Sequence, residues 1–365
     1  MSDSLLFSSF QLGDVTLTSR VVMSPMTRSR SINNVPDELV ATYYQQRASA
    51  GLIVTEGTSP SPNGLGYARI PGIFSEAQVA GWKKTTGAVH AAKGHIFIQL
   101  MHTGRVTHPD NLPAGGRVLA PSAVAAPGEM WTDKSGGMQP FPTPEVMTEA
   151  DIDSAIKEYG AAAANAIKAG FDGIELHGAN GYLIEQFLNV ASNQRTDKWG
   201  SGSVDNRIRF ALAVADAAIA AAGASRVGIR LSPYGVFNGS TSDPQTDEVY
   251  RALSAELGKR KLVYLHVLDH SAMGAPKPKA EIFDIIRDAF KGTIIRAGGF
   301  DRASAEAMLK SGKAELIAFG RPFLANPTLP KKLRDGTPLR EADMARAYAP
   351  GPKGLSEGYT DYPSD

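Results

Sequence analysis

The feature that most constrains the fold of this chain is a regular alternation of short apolar segments with amphipathic or alanine-rich segments. Eight βα-type strands can be counted, with a helical segment between most neighbours. Such repetition in one chain predicts a (β/α)8 TIM barrel, whereas a doubly wound open sheet, the alternative, seldom needs eight such regular units. The predicted strands are Arg20–Pro25, Leu52–Thr58, His95–Leu100, Gly173–His177, Val227–Leu231, Leu262–Leu268, Thr293–Gly298 and Glu315–Gly320.

The segments between these strands have helical periodicity, and an N-terminal hairpin is predicted over Phe10–Ser19. Thr148, followed three residues later by Asp151, offers an N-cap in front of the third helix. The predicted helices are Asp37–Ala50, Ser75–Ala92, Glu149–Ala169, Asp205–Ala222, Thr246–Lys259, Ala280–Phe290 and Arg302–Lys310.

A long interruption, roughly residues 103–147, separates the third strand from the third helix. It is rich in Pro and Gly but also holds Trp131 and Phe141, so it is too well supplied with aromatics for a plain linker. Long excursions of this kind usually form lids or binding loops. We therefore expect a single domain over residues 1–365, with a lid-like insertion after strand three.

Composition excludes several function classes. Hydrophobic residues make up 42% of the 365 positions, and 38 basic residues balance 37 acidic ones without a basic stripe, which argues against nucleic-acid binding. Cysteine is absent, which rules out disulfides and thiolate chemistry. No signal-peptide pattern or apolar stretch of about 20 residues is present, so a cytoplasmic protein without membrane association is expected.

Polar side chains gather after the fourth predicted strand, in the stretch Gly173–Tyr182. The strand is apolar and then breaks into a glycine-rich turn that carries His177, Asn180 and Tyr182. Catalytic groups of α/β barrels lie at the carboxyl ends of the strands. These three side chains are therefore the first candidates for a reaction centre.

Other strands add polar groups to the same barrel mouth. Because strand side chains alternate, Gln99, Arg230 and His266 point inward while their apolar neighbours face the helices. Arg230 has a purely structural alternative, a buried ion pair with Glu175 on the neighbouring strand. His266 is interpreted as a hydrogen-bonded core histidine rather than a ligand.

Glycines follow strands seven and eight, at Gly298-Gly299 and Gly320, and Arg321 comes directly after the last of them. Glycine lets backbone N–H groups approach a phosphate, a helix start adds a favourable dipole, and arginine supplies bidentate donors. Barrels commonly hold a phosphate here. The alternatives are a phosphorylated substrate, a nucleotide-like cofactor, or tight turns that bind nothing.

Taken together, the motifs resemble those of the Old Yellow Enzyme family, in particular the bacterial N-ethylmaleimide, nitrate-ester and xenobiotic reductases. The similarity runs from about Phe7 to the closing Gly-Tyr-Thr-Asp-Tyr-Pro. No metal site is expected. The matching stretches are Ser24–Arg28, Gln99–Arg105, His177–Leu183, Glu185–Leu188, Asn193–Asp197, Asp205–Arg207, Arg230–Pro233, Ala297–Phe300 and Phe319–Phe323.

The resemblance implies an FMN cofactor, bound tightly but without a covalent link. Gln99 would bond the pyrimidine edge of the flavin, and Arg230 would lie where negative charge collects on reduction. The remaining residues implied to line the flavin or to hold its phosphate are Pro25, Met26, Thr27, Gly57, Gly298, Gly299, Gly320 and Arg321.

The resemblance also implies the reaction. NADPH or NADH would reduce FMN, which would then reduce small activated alkenes or nitro compounds, nitrate esters and nitroaromatics among the candidates. His177 and Asn180 would bind the carbonyl or nitro oxygen, and Tyr182 would protonate the α-carbon. A monomer or weak homo-oligomer is expected.

Two residues depart from relatives. Met101 stands where many of them carry Trp, and Asn180 stands where a bacterial subset has His. Two other function classes remain open at this point, a barrel aldolase or isomerase acting on a phosphorylated sugar and a non-catalytic flavin- or phosphate-binding protein. The first would need a strand-end lysine or paired carboxylates, and the strand ends carry only Glu56 and Glu175 as carboxylates.

Overall fold

Eight parallel strands close into a barrel in the computed structural model, which describes residues 4–364. Helices connect successive barrel strands, which confirms the predicted (β/α)8 fold. The strands are β1 (Phe10–Leu12), β2 (Val15–Leu17), β3 (Val21–Met23), β4 (Leu52–Thr58), β5 (Ile96–Leu100), β6 (Leu119–Ala120), β7 (Glu129–Thr132), β8 (Gly137–Pro140), β9 (Glu145–Val146), β10 (Gly173–Gly178), β11 (Val227–Leu231), β12 (Tyr264–Leu268), β13 (Ile294–Ala297) and β14 (Leu316–Phe319). Around the barrel the strand order is β10-β11-β12-β13-β14-β3-β4-β5.

The helices surround the barrel, and several begin at strong N-caps. Thr148 and Asp151 form the predicted capping box at the start of α3. The helices are α1 (Glu38–Gln45), α2 (Glu76–Ala91), α3 (Glu149–Lys168), α4 (Leu183–Leu188), α5 (Val204–Ala222), α6 (Thr246–Lys259), α7 (Glu281–Phe290), α8 (Arg302–Lys310), α9 (Arg321–Ala325) and α10 (Leu329–Asp335). Within residues 4–364, none of them has the length and apolarity that a membrane span requires.

Side-chain alternation divides the core into two layers. Inward residues such as Phe97 and Tyr264 form the barrel interior, while outward residues such as Leu176 pack against the helices. The predicted hairpin, β1 with β2, adds Leu12 and Leu17 to the interior cluster. It therefore covers the end of the barrel opposite the carboxyl ends of the strands.

Some element boundaries were predicted wrongly. The first strand is Val21–Met23 rather than Arg20–Pro25, and Pro25 has no N–H to extend the ladder. The first helix is Glu38–Gln45 rather than Asp37–Ala50. Its continuation tightens into i→i−3 turns, where the buried Arg47 guanidinium donates to the carbonyl oxygens of Phe323 and Leu324.

The insertion over residues 103–147 is more ordered than the sequence indicated. It contains the antiparallel β7–β8 hairpin and a parallel pair, β6 with β9. Its residues Val106 and Ala126 share an apolar cluster with Met101 and Tyr182. The insertion therefore packs directly on the stretch that follows β10.

The C-terminal segment is tied to the loop after β3 by two buried arginines. Arg28 Nη2 donates to the Gly358 carbonyl oxygen at 2.6 Å, and Arg30 Nη2 donates to the Arg346 carbonyl oxygen at 2.8 Å. Both arginine side chains are almost fully enclosed. Charge-assisted bonds of this kind hold the chain terminus against the barrel mouth.

Candidate active site

Strand register places the inward polar residues in two rows at the carboxyl end of the barrel. Gln99 pairs with Glu175 across β5 and β10. His177 pairs with Arg230, and Arg230 with His266, across β10, β11 and β12. All five side chains are buried. The structure therefore brings together the strand residues that the sequence singled out.

Glu175, in the row that contains Gln99, is the centre of a hydrogen-bond network. Its carboxylate accepts from Gln99 Nε2 at 2.8 Å, Tyr264 Oη at 3.1 Å and His266 Nδ1 at 2.8 Å. Burial pushes the pKa of Glu175 upward, but His266, Arg230 and Gln99 outweigh it and hold that pKa below its usual value. Burial keeps the pKa of His266 low, so Glu175 is a carboxylate and His266 is a neutral imidazole.

These bonds also decide what faces the barrel mouth. Gln99 Nε2 donates to Glu175, whereas Gln99 Oε1 has no hydrogen-bond partner among residues 4–364 and can accept a hydrogen bond. Arg230 Nε and His266 Nε2 are buried and have no hydrogen-bond partner within the described chain. The structure contains no hydrogen bond or ion pair between Arg230 and Glu175 among residues 4–364, which argues against the purely structural interpretation of Arg230.

The turn after β10 adopts an unusual backbone that its neighbours stabilise. Asn180 and Gly181 both have positive φ, at 60° and 74°, a region that Asn and Gly tolerate best. Asn180 N donates to Ser232 Oγ at 2.9 Å, and Asn238 Nδ2 donates to the Asn180 carbonyl oxygen at 2.7 Å. The Gly181 N–H donates to the Glu185 carboxylate. The loop is therefore held from three sides.

Within this turn, His177 and Asn180 present two donors side by side. His177 Nδ1 accepts from the Ala179 N–H at 3.3 Å, and burial, with Arg230 next, keeps the pKa of His177 well below its usual value. A neutral ring that accepts at Nδ1 carries its hydrogen on Nε2. Asn180 Nδ2 lies 3.5 Å from that Nε2, while Asn180 Oδ1 is engaged by His270 Nε2 at 2.8 Å. Two N–H groups therefore lie side by side, with their nitrogen atoms 3.5 Å apart.

Tyr182 completes the cluster. Its ring meets that of His177 edge-on at 4.8 Å, and its hydroxyl lies 2.9 Å from the hydroxyl of Tyr67. Burial, followed by the neighbouring Tyr67, raises the pKa of Tyr182 well above 10. The phenol is therefore fully protonated at neutral pH.

Residues 25–27 follow β3 and Gly57 lies near the end of β4, so both lie at the same barrel mouth. Pro25 is buried, and Met26 and Thr27 are half-buried in the turn after β3. A Cβ on Gly57 would lie 2.4 Å from the Sδ of Met101, so the missing side chain leaves room for that thioether. Met101 belongs to the apolar cluster that includes Tyr182.

The four residues of the predicted phosphate site are adjacent at the ends of β13 and β14. Gly298 and Gly299 have φ of 139° and 70°, and a Cβ on either would lie under 3 Å from the loop after β12. Gly320 precedes α9, and the exposed Arg321 donates from Nη2 to the Ala272 carbonyl oxygen at 2.8 Å. Since α9 has only five residues, the helix-dipole contribution expected after strand eight is weaker than the sequence suggested.

Sequence reasoning missed three residues that contact this cluster. The sequence carries no signal that Tyr67 is the hydroxyl partner of Tyr182. Glu185 lay inside a recognised motif without a role, and His270 was not singled out. The one signal in the sequence that could have found His270 is its position two residues after the end of the sixth strand. No group of His, Asp or Glu side chains in residues 4–364 has the clustering that a metal ion needs.

Comparisons with known proteins identify the family of this chain. The model of the NADH:flavin oxidoreductase / NADH oxidase family matches residues 5–340. A probable flavin mononucleotide-dependent alkene reductase of Leishmania infantum is 41% identical over 357 residues, covering 96% of this chain and 95% of that protein. The 12-oxophytodienoate reductase 1 of Oryza sativa subsp. japonica is 40% identical, covering 98% of this chain and 92% of that protein.

Solved structures give the same result. Morphinone reductase superposes with a TM-score of 0.94 at 42% identity, covering 99% of this chain and 96% of that one. It has also been solved in complex with tetrahydroNAD. The Old Yellow Enzyme homologue of Zymomonas mobilis superposes with a TM-score of 0.92 at 38% identity, covering 98% and 99% of the two chains. The resemblance seen in the motifs is confirmed, and the chain belongs to the NADH:flavin oxidoreductase / NADH oxidase family as an FMN-dependent oxidoreductase of the Old Yellow Enzyme type.

Proposed function

We propose that this protein uses NAD(P)H to reduce the carbon–carbon double bond of alkenes conjugated to a carbonyl or nitro group. The observation that carries the proposal is the convergence of His177 Nε2 and Asn180 Nδ2, 3.5 Å apart, beside the protonated hydroxyl of Tyr182. Two N–H donors and one O–H proton donor match an oxygen that gains negative charge and a carbon that must be protonated. Relatives named for alkene and 12-oxophytodienoate reduction support this substrate class.

The residues below this cluster fit FMN. Arg230 Nε and His266 Nε2 are buried polar atoms without partners, and Gln99 Oε1 is left free by the bond to Glu175. The Arg230 Nε–H as donor and Gln99 Oε1 as acceptor suit the pyrimidine edge of a flavin, and a fixed cation there tunes its electronics. We assign the half-buried Thr27, in the turn after β3, to the same ring. When bound, FMN supplies the hydride, taken from NAD(P)H and passed to the β-carbon of the substrate.

The phosphate of FMN is assigned to the adjoining glycine cluster. Gly298 and Gly299 have positive φ values that glycine adopts readily, and glycine lets backbone N–H groups approach an anion closely. Gly320 and the charged Arg321 lie on the next strand end. This assignment accounts for the phosphate site without a phosphorylated substrate, so the sugar aldolase alternative loses its support.

The protein's own part in the reaction is charge stabilisation and proton delivery. His177 and Asn180 donate to the carbonyl or nitro oxygen, which polarises the double bond and stabilises the negative charge that develops on that oxygen. Tyr182 then delivers its proton to the α-carbon as general acid. One hydride at the β-carbon and one proton at the α-carbon balance the reduction.

The test uses the purified holoenzyme. It should be yellow, bleach under anaerobic conditions with NADPH, and regain colour with 2-cyclohexenone while cyclohexanone accumulates. Cyclohexene, which has the double bond but no oxygen, is the matched control and should not restore the colour. A bleached enzyme that cyclohexenone fails to reoxidise would remove the proposed substrate class.

A further inference from the structure

His270 lies outside the motifs that define the site, in the short turn His270–Met273 directly after β12. Asp269 caps this turn by accepting from the Ser271 N–H at 2.8 Å. The imidazole is 4% exposed and meets the ring of Phe237 edge-on at 4.4 Å. On another side, a Cβ on Gly235 would lie 3.0 Å from the ring, so that glycine leaves room for it. The ring is therefore held in one position.

The hydrogen on this ring can be placed by elimination. Burial, with Arg230 next, lowers the pKa of His270 to about 4 despite the nearby Asp269, so one ring nitrogen carries a hydrogen at neutral pH and the other does not. Nδ1 is buried and has no partner in the described chain, whereas Nε2 lies 2.8 Å from Asn180 Oδ1. A buried N–H without an acceptor is rarer and costlier than a bare ring nitrogen. The hydrogen therefore belongs on Nε2, where it is donated to Asn180.

This bond decides which end of the Asn180 amide faces the substrate. With Oδ1 held by His270, the NH2 group is turned toward His177 Nε2, which itself carries a hydrogen. The backbone bonds of Asn180 to Ser232 and Asn238 fix the position of the residue but leave its amide free to rotate by 180°. A rotated amide would point its oxygen at the substrate oxygen and repel it.

We propose that His270 is a positioning residue that holds the Asn180 amide with its NH2 group toward the substrate oxygen, as a donor. This inference deepens the proposed function and rests on it, because it concerns the grip on the oxygen of the activated alkene. His270 acts through Asn180 and does not itself need to contact the substrate.

The first experiment compares His270→Leu, which removes the donor, with His270→Gln, which keeps an N–H at a similar distance from the backbone. Holoenzymes reduced anaerobically are mixed with 2-cyclohexenone or, as control, with dissolved oxygen, which has no carbonyl to bind. With His270→Leu we expect reoxidation by the enone to slow about 10- to 100-fold, a loss comparable with or smaller than that of a direct oxyanion donor. His270→Gln should recover most of the rate, and reoxidation by oxygen should change little in either. Equal rates for His270→Leu and wild type, or equal slowing with the enone and with oxygen, would overturn the proposal.

A double-mutant cycle tests whether His270 acts through Asn180. The enone rate is measured for Asn180→Ala alone and together with His270→Leu. If His270 only orients the amide, the second substitution should add less than about twofold once the amide is gone. Full additivity of the two losses would show that His270 acts by another route.

A measurement that needs no turnover keeps this inference separate from the proposed function. In protein labelled with 15N-histidine, the ring signals that disappear in His270→Gln belong to His270, and their nitrogen shifts distinguish an Nε2–H from an Nδ1–H ring. The inference requires Nε2–H, and an Nδ1–H ring would overturn it. Failure of the wild-type enzyme to use cyclohexenone, with an Nε2–H ring at His270, would instead count against the proposed substrate class alone.

Discussion

At the scale of single residues, burial sets the protonation states on which the proposed chemistry depends. The pKa of the Tyr182 phenol is pushed well above 10, so the phenol keeps its proton until a stronger base appears. The pKa of His177 is pushed well below its usual value, so the ring is a neutral donor rather than a cation. Beneath them, Glu175 stays ionised because three donors and the nearby Arg230 compensate for its burial. Each group thus has one protonation state near neutral pH.

Replacing Tyr182 by Phe should separate the two half-reactions. The proton donor is lost while the other groups stay in place, so the reoxidation of reduced enzyme by 2-cyclohexenone should slow by about 10²- to 10⁴-fold. Reduction of the enzyme by NADPH needs no proton from this residue and should remain largely intact. Stopped-flow absorbance of each half-reaction measures both. Tyr67→Phe is the matched control, since it removes the neighbouring hydroxyl but keeps Tyr182, and its effect should be smaller. Equal loss in both half-reactions of Tyr182→Phe would rule out the proton-donor assignment.

At the scale of elements, α4 holds the catalytic turn from behind. Its Glu185 accepts from the Gly181 N–H, from Ser232 Oγ at 2.9 Å and from Tyr250 Oη at 3.1 Å. Ser232 in turn accepts from the Asn180 N–H. None of these partners is a cation, so burial dominates and raises the pKa of Glu185 to about 7. One buried carboxyl group therefore links the helix to both residues of positive φ in the turn.

Glu185 should make stability fall as pH rises. Between its ordinary pKa of 4.5 and the folded value of about 7, the folded protein keeps a proton on Glu185 that the unfolded chain has released. The free energy of unfolding therefore decreases with pH across this window, by an amount on the order of 1–3 kcal/mol for this group. Glu185→Gln removes this titration. The free energy of unfolding of the variant, relative to that of wild type, should therefore rise between pH 5 and pH 8.

Thermal unfolding of the holoenzyme at fixed excess FMN, measured at several pH values, tests this prediction. Glu129→Gln, at an exposed position on β7, is the control and should run parallel to wild type. A stability difference between Glu185→Gln and wild type that stays constant from pH 5 to pH 8 would contradict it.

At the scale of the whole molecule, the proposed FMN site is assembled from strand ends that are far apart in the sequence. Thr27, Gln99, Arg230 and Arg321 follow or end four different barrel strands. Closure of the barrel brings β14 next to β3 and so completes the ring of strands. A ligand that contacts all of these residues can bind only the folded barrel, so it must stabilise the fold as a whole.

FMN should therefore raise the melting temperature of the apoprotein more than riboflavin, which lacks the phosphate. A ligand present at 100 times its dissociation constant adds about 2.7 kcal/mol to the free energy of unfolding. For a chain of this size, that raises the melting temperature by roughly 3–4 °C. In Arg321→Ala the shift caused by FMN should fall toward that caused by riboflavin, while the riboflavin shift stays near the wild-type value. Differential scanning fluorimetry with both ligands measures this. Equal shifts with FMN and riboflavin in the wild-type protein would count against the phosphate assignment.

Much of the fold followed from local patterns. Alternation of side chains predicted which residues of β5, β11 and β12 face inward, and the Thr148–Asp151 capping box marked the start of α3. The polar stretch after β10 and the glycines after β13 and β14 could be recognised for the same reason, since turn residues and strand ends are local features. The secondary structure inside residues 103–147 could not be recognised from local patterns, because β6 pairs with β9 across more than twenty residues.

The sequence by itself determined the barrel, the family and the list of polar side chains at its mouth, because periodicity and motif spacing are properties of neighbouring residues. Only the tertiary structure decided how those side chains are oriented and protonated. The Asn180 amide is turned by His270, ninety positions away, and Gln99 is turned by Glu175 on the next strand. Hydrogen-bond direction and desolvation depend on what surrounds a group in space, and the order of residues along the chain does not specify those surroundings.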